Sequence, residues 1–414
     1  MASKQRPIGV DLFAGAGGMS LGFEQAGFDV LCAVELDPIH CATHMFNFPY
    51  WSILCKSIKD TTGEDIRNCS AIGSQEIDVV FGGSPCQGFS NMGRLMLDDP
   101  RNFLVKDFIR IVLELQPLYF VFENVKGLTI GKHKSFLNEI IETFSEHNYQ
   151  IRLPWQVLNA AYYGVPQNRE RLFLIGAKKN LSLPEYPAAS AIAPSCWDAL
   201  KDLPEAEDFE ELLYSDCVET SKWGAPSNYG REMRCLDDSS WHFGYRRNWN
   251  PFLLTSSLRT NHSQISRTRF QTTEPGKKEP ISRFFKLPKN GLSNTLRAGT
   301  DSAHGSHTSP RPIHYSSPRC ITVREMARLQ GFPDWFRFHS TKWHGARQVG
   351  NSVPPPLARA IGAEIIKSLG INPTTPDDIL ELGDPKLLSM NMKQAANYRQ
   401  FTIPTKHIIS DYST

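Results

Sequence analysis

The sequence predicts an α/β protein: a mostly parallel sheet covered by helices, with a smaller, irregular second domain placed before the chain returns to the first. Three observations carry this reading. Short apolar runs alternate with helical stretches from Ile8 to Ile175, the pattern of strands joined by crossover helices. The first run opens directly onto a glycine-rich turn, Ala14 to Gly18. From about Pro184 the periodicity gives way to irregular sequence with Pro, Ser and Trp, and regular structure resumes at Thr322.

The elements follow in order. A strand over Ile8–Phe13 meets the glycine turn, a helical stretch runs to about Gly27, and a second strand, Val30–Val34, ends in Glu35. This is a βαβ unit with an acid shortly after the glycines. Glycines let a ligand approach the backbone, and the acid can bind ribose hydroxyls. The spacing is not Gly-x-Gly-x-x-Gly, so a pyrophosphate cradle is not indicated. A nucleoside-bearing ligand fits; a purely structural glycine turn is the ordinary alternative.

A strand over Val79–Phe81 leads through Gly82, Gly83, Ser84 and Pro85 to Cys86. Pro85 fixes its own φ and restricts the residue before it, so the thiol is presented in a constrained direction. Strand ends are where α/β folds place reactive groups, and a thiolate there is a candidate nucleophile. A buried structural cysteine is the bland alternative. A helix over Phe103–Leu115 is stopped by Pro117. Strands over Tyr119–Phe122, ending in Glu123, and over Arg171–Ile175 complete the first part. A helix over Thr322–Leu329 and a last one after Pro354–Pro356, with Leu357, Ile361, Ile365 and Leu369 on one face, close the fold. The expected boundaries are 1–184 for a catalytic and cofactor domain, 185–318 for the second domain, 319–372 for the return and closing helix, and 373–414 for a polar C-terminal extension of open role.

Composition bounds the function classes. With 414 residues, 40% hydrophobic and 21% charged, the chain is an ordinary globular one with room for two domains. No apolar run approaches the roughly 18–20 residues that span a bilayer, and no signal-peptide stretch opens the chain, so a cytoplasmic protein without membrane contact is expected. Nine cysteines, an odd count without a Cys-x-x-Cys pair, argue for reduced thiols and against a zinc site. Net charge is only +2, yet Lys222–Arg347 holds 21 Lys plus Arg against 8 Asp plus Glu, while an acidic cluster spans Asp202–Glu219. Such a basic segment suggests a polyanion partner, with a solvated basic face as the alternative.

Seven motifs occur in order: DLFAGAGG (11–18), Glu35, GSPCQ (83–87), Glu123-Asn124-Val125, QNRER (167–171), REMARLQGFPD (324–334) and QVGNSV (348–353). Together they closely resemble the DNA (cytosine-5) methyltransferases of bacterial restriction–modification type, over roughly residues 7–180 and 293–366. The resemblance implies a Rossmann-like, S-adenosylmethionine-dependent methyltransferase domain beside a target-recognition domain. Carbon 5 of cytosine is a poor nucleophile until a thiolate adds to carbon 6. By resemblance Cys86 is that nucleophile, Glu123 the acid hydrogen-bonded to ring nitrogen 3, Arg171 the contact to the base carbonyl and Arg169 the residue holding the site together. An acid doing this at neutral pH must be shielded enough to raise its pKa.

The implied cofactor is S-adenosylmethionine. Phe13 would lie against it, and Ala14, Gly15, Gly17 and Gly18 would line its methionine portion. Glu35 with Leu36 would take the ribose, and Gly83, Pro85, Leu104, Asn351, Ser352 and Val353 would add wall. The family's usual Asp-Ile pair for the adenine amine is replaced by Ser57-Ile58, with Asp65-Ile66 as an alternative register. The target cytosine must leave the helical stack to be reached. The segment from Phe89 to Arg101 resembles the family's mobile loop over the DNA, and the basic second domain becomes the recognition domain. Gln87, Ser90, Arg101, Arg267, Arg269 and Arg297 are the expected contacts to double-stranded DNA, with Lys277 and Lys278 as further candidates. A cognate restriction endonuclease acting on the same site, a monomeric state and a place at the nucleoid follow from the same resemblance. Two other readings stand beside it. A tRNA cytosine-5 methyltransferase is disfavoured because the Cys-Phe-Thr signature of that branch is absent. An inactive DNA-binding regulator is disfavoured because the first motif begins near residue 7 and leaves no space for a helix-turn-helix. A nicotinamide-dependent oxidoreductase leaves Cys86 and Glu123 without work.

Overall fold

The computed structural model describes residues 6–84, 103–129, 133–189, 192–300 and 310–398. Its main sheet has eight strands: β1 (Ile8–Leu12), β2 (Asp29–Glu35), β3 (Ser52–Cys55), β4 (Val79–Gly83), β5 (Tyr119–Val125), β6 (Tyr149–Ile151), β7 (Gln156–Asn159) and β8 (Glu170–Lys178). They lie in the order β3-β2-β1-β4-β5-β8-β6, with β7 also paired to β8. The first five are parallel, β8 runs antiparallel to β5, and β6 and β7 run antiparallel to β8. The parallel strands read as unbroken apolar runs because both faces are covered. Val79, Phe81, Tyr119 and Val121 enter one core, while Val80, Phe120 and Phe122 enter the other.

Five helices accompany the strands: α1 (Gly18–Ala26), α2 (Pro38–Asn47), α3 (Gly63–Asn68), α4 (Phe103–Leu115) and α5 (His133–Glu146). Short helices α6 (Cys196–Leu200), α7 (Asn228–Met233) and α8 (Gln264–Thr272) follow, then α9 (Val323–Gln330), α10 (Lys342–Asn351), α11 (Pro355–Ser368) and α12 (Met392–Ala396). The closing helix α11 buries Leu357, Ile361 and Ile365 against Phe23 of α1 and the sheet, as its spacing requires. Helix α9 starts in a reciprocal capping box between Thr322 and Glu325.

No strand of the main sheet comes from described residues beyond Lys178. The remaining strands, β9 (Val218–Glu219), β10 (Arg246–Asn248), β11 (Leu253–Leu254) and β12 (Ile379–Glu381), form two small pairs, β9 with β11 and β10 with β12. Here the charge reading changes. Asp202 pairs with Arg328 at 3.1 Å, Glu205 with Arg319 at 2.6 Å, Asp216 with Arg337 at 3.5 Å, and Glu207 with Arg267. Glu24 of α1 pairs with buried Arg247 at 2.8 Å. The acidic cluster therefore neutralises part of the basic segment internally, and the positive charge left for a polyanion is smaller than the count along the chain. The C-terminal stretch 373–398 is also docked rather than loose, through β12 and α12. Among the described residues the eight cysteines are free, no cluster suited to a metal ion occurs, and no helix is long and apolar enough to cross a membrane.

Candidate active site

The chain lays β2 and β3 on one side of β1 and then returns to lay β4 on the other. At such a reversal the carboxyl ends of neighbouring strands diverge and leave a crevice. A cavity of about 540 Å³ opens there. The turn after β1 contributes Phe13, Ala14, Gly15 and Gly18; the end of β2 contributes Glu35 and Leu36; Ser57 and Ile58 follow β3. Gly83, Leu104 and Glu123 line the other side, and Asn351, Ser352 and Val353 return from the C-terminal part. Asp65, the alternative register for Ser57, instead pairs with Lys56 at 2.9 Å and caps α3. Gly17 differs from its expected place. Its φ of 102° and its contact with Phe48, where a Cβ would lie 2.5 Å from the ring, give it a turning and packing task instead of a wall position. Pro85 and Cys86 lie outside the described residues, as do Gln87, Ser90 and Arg101.

Two features mark the β1–β2 side as built for a ligand. Phe13 adopts a φ of 62°, a left-handed conformation that side chains rarely take and that clusters at binding sites. The Glu35 carboxylate accepts backbone N–H groups of Gly15 at 2.8 Å, Leu36 at 2.9 Å and Asp37 at 2.8 Å. A carboxylate has about four lone-pair positions. Three are occupied by the backbone, and the group stays fixed at the cavity wall with acceptor capacity left for a hydroxyl. A fixed acceptor of this kind fits the hydroxyls of a ribose.

Glu123, in β5, is 7% exposed, and Arg171 Nε of β8 lies 2.9 Å from its Oε1. Burial pushes its carboxyl up, while Arg171 and Arg169 pull the other way; the balance is a raised pKa. Asn124, beside it, donates to the Ser84 hydroxyl at 3.3 Å, tying the chain just after β4 to β5. Arg169 donates to the carbonyls of Leu296 at 3.0 Å and Gly350 at 2.9 Å. It thus joins three separated stretches of chain beneath the site. Buried amides extend the joint: Gln167 Nε2 donates to Gln330 Oε1 at 2.6 Å, and Gln330 Nε2 donates to the Ser352 carbonyl at 2.6 Å. Burying these two amides is tolerable because each has partners.

Asp11 had no role assigned from its motif. It lines the cavity at the end of β1, accepts the Ser20 hydroxyl at 2.6 Å, and burial pushes its carboxyl up to about 8. A charged residue inside an otherwise apolar strand was the available signal. Among the expected DNA contacts, Arg267 is committed to Glu207, and Arg269 on α8 lies 3.8 Å from Glu279. Arg297 is exposed and its backbone abuts Gly350, next to the cavity.

The model of the C-5 cytosine-specific DNA methylases matches residues 9–367. The chain belongs to this family. It is a DNA cytosine-5 methyltransferase, and the site just described spans that family's matching region. It is 56% identical over 391 residues to the Type II methyltransferase M.XorII of Xanthomonas oryzae pv. oryzae, covering 94% of this chain and 92% of that one. The Type II methyltransferase M1.HphI of Haemophilus parahaemolyticus is 34% identical over 86% of each chain. The crystal structure of a prophage-encoded modification-methyltransferase candidate from E. coli superposes with a TM-score of 0.73 at 35% identity, covering 88% of this chain and 99% of that one. The S. pombe Dnmt2 methyltransferase, at 16% identity and a TM-score of 0.52, shares the fold.

Proposed function

We propose that this methyltransferase transfers a methyl group from S-adenosylmethionine to carbon 5 of a cytosine flipped out of a specific duplex DNA sequence, through a covalent adduct on Cys86. The observation that carries the reading is the buried Glu123–Arg171 pair opening onto the same cavity as Glu35. Ser84, two residues before Cys86, is tied to Asn124 beside that pair. Glu35 would hold the ribose, Phe13, Gly15 and Gly18 the rest of the cofactor's face, and Ser57 with Ile58 the adenine end. When bound, S-adenosylmethionine supplies the electrophilic methyl group.

The chain's own groups divide the remaining work. The Cys86 thiolate adds to carbon 6 of the cytosine, which makes carbon 5 nucleophilic. Glu123, whose carboxyl burial pushes up, would hydrogen-bond ring nitrogen 3 and offset the negative charge that develops there. Arg171 holds the Glu123 carboxylate and faces the base carbonyl. Arg169 keeps the segments around Leu296 and Gly350 in register. A bound water removes the carbon 5 proton, and the electron pair released reforms the ring double bond as the Cys86–carbon 6 bond breaks and the thiolate leaves. Residues 185–318 would read the target, with Arg297 nearest the cavity. The enzyme acts as a monomer in the bacterial cytoplasm and protects host DNA from a cognate restriction endonuclease.

The test is transfer of a labelled methyl group by purified protein onto duplex DNA and, separately, onto tRNA. Label on duplex DNA alone is expected. Label on tRNA alone, or on neither, would overturn the reading.

A further inference from the structure

The family's matching region ends at residue 367, yet the chain continues along the cofactor side of the molecule. Strand β12 lies parallel to β10, with Asn248 donating to Glu381 at 2.8 Å. The Glu381 amide donates to the Tyr50 hydroxyl at 3.0 Å, and the Gly383 amide donates to the Phe46 carbonyl at 2.8 Å. A Cβ at Gly383 would sit 2.8 Å from Phe46 Cα, so glycine permits this approach to α2. Leu387 and Leu388, each 2% exposed, then enter one apolar cluster with Ala14, Ala33, Cys41, Ala42, Phe46 and Ile53. Beyond them, the Leu388 carbonyl accepts from the Ser340 amide at 2.8 Å, and the Met390 carbonyl lies 3.1 Å from His339 Nε2. Helix α12 packs on α2.

That cluster is the floor beneath the cofactor wall. Ala14 belongs to the turn after β1 and lines the cavity. Helix α2 begins at the Asp37 cap, whose amide is held by Glu35. We infer that residues 379–396 form a strap whose Leu387 and Leu388 position the Ala14 turn and the Glu35–α2 junction, so cofactor affinity depends on a segment outside the family's matching region. The leucines touch neither ligand nor reacting atoms; they are positioning residues. The inference rests on the cofactor assignment of the proposed function.

The experiment is calorimetric titration of full-length protein with S-adenosylhomocysteine, together with kcat measured at saturating S-adenosylmethionine. In the double variant Leu387→Ala/Leu388→Ala, affinity is expected to fall about tenfold, within the range usual for coupled sites, while kcat at saturation stays within about twofold, as expected when only binding is lost. Leu212→Ala makes a smaller cavity of the same kind in a separate cluster and is expected to leave affinity unchanged. Should the double variant fail to fold, Gly383→Ala applies the same test by pushing the strap off Phe46, with the same direction expected. Unchanged affinity in a folded strap variant, or an equal loss in Leu212→Ala, would overturn the inference. No binding by the wild-type protein would instead overturn the cofactor assignment.

Discussion

Gly83 and Glu123 face each other in the β4–β5 register so closely that a methyl group on Gly83 would lie 2.3 Å from Glu123 Oε2. The absence of a side chain at Gly83 is what lets the acid sit beside the chain leading to Cys86. The atom displaced by a larger residue would be the far end of a flexible side chain, so the fold accommodates the change while the acid moves. Gly83→Ala is therefore expected to lower kcat about 100-fold, the scale of loss from an ångström-sized misplacement. Its thermal midpoint should remain near wild type. Steady-state methylation kinetics with a melting curve check this, and a near-normal kcat would contradict it.

Glu35 and Ser57 both line the cavity at the end proposed for the cofactor, but their chemistry differs. The Glu35 carboxylate is fixed by three backbone donors, whereas Ser57 offers a single hydroxyl. Hydrogen bonds to charged groups contribute about 1.5–3 kcal/mol and neutral ones about 0.5–1.5. Titration with S-adenosylhomocysteine should show a loss of about 10- to 100-fold for Glu35→Ala and less than about tenfold for Ser57→Ala. The reverse ranking would displace Glu35 from the ribose.

Asp11 makes stability depend on pH. Its carboxyl is raised from 3.8 to about 8 by burial, so between those values the folded chain holds a proton that the unfolded chain has released. Stability from this group is present at low pH and is lost as pH rises through that window. Asp11→Asn removes the dependence, and its thermal midpoint relative to wild type should climb between pH 5 and pH 8, at about 2–4 °C per kcal/mol or less for a chain this long. A difference that stays flat with pH, measured by calorimetry, would contradict the assignment.

Arg328 is fully buried between Asp202, at 3.1 Å, and Asp334, at 2.7 Å. Removing the cation strands the buried Asp202 carboxylate and leaves Asp334 with Arg324 alone, at 3.7 Å. Arg328→Met should cost about 3–5 kcal/mol in urea unfolding, whereas an exposed pair such as Arg231–Asp237 should cost under about 1 kcal/mol.

The strands that carry the site were readable because their neighbours cover them on both faces. Val79–Phe81 and Tyr119–Phe122 are apolar throughout, and helix α4 spans the expected Phe103–Leu115 between an apolar stripe and Pro117. Motif order is what nominates Cys86, Glu123, Arg169 and Arg171; the last three fall on described residues and Cys86 does not. What escaped has non-local causes. Helix α2 buries its apolar residues partly against Leu387 and Leu388, hundreds of positions away, so no local pattern announces that packing. The pairing of the acidic cluster with the basic segment is likewise invisible to a charge count, which records sign but not partner. Gly17 looked like a wall residue because motif position does not reveal which way a turn faces.

The central claim is most directly tested on genomic DNA from an expression host, sequenced by a method that distinguishes 5-methylcytosine from cytosine, comparing wild type with Cys86→Ser. The account predicts new 5-methylcytosine at one short sequence in the wild-type sample only. Equal methylation in both samples would contradict Cys86 as the nucleophile, and none in either would contradict DNA cytosine as the substrate.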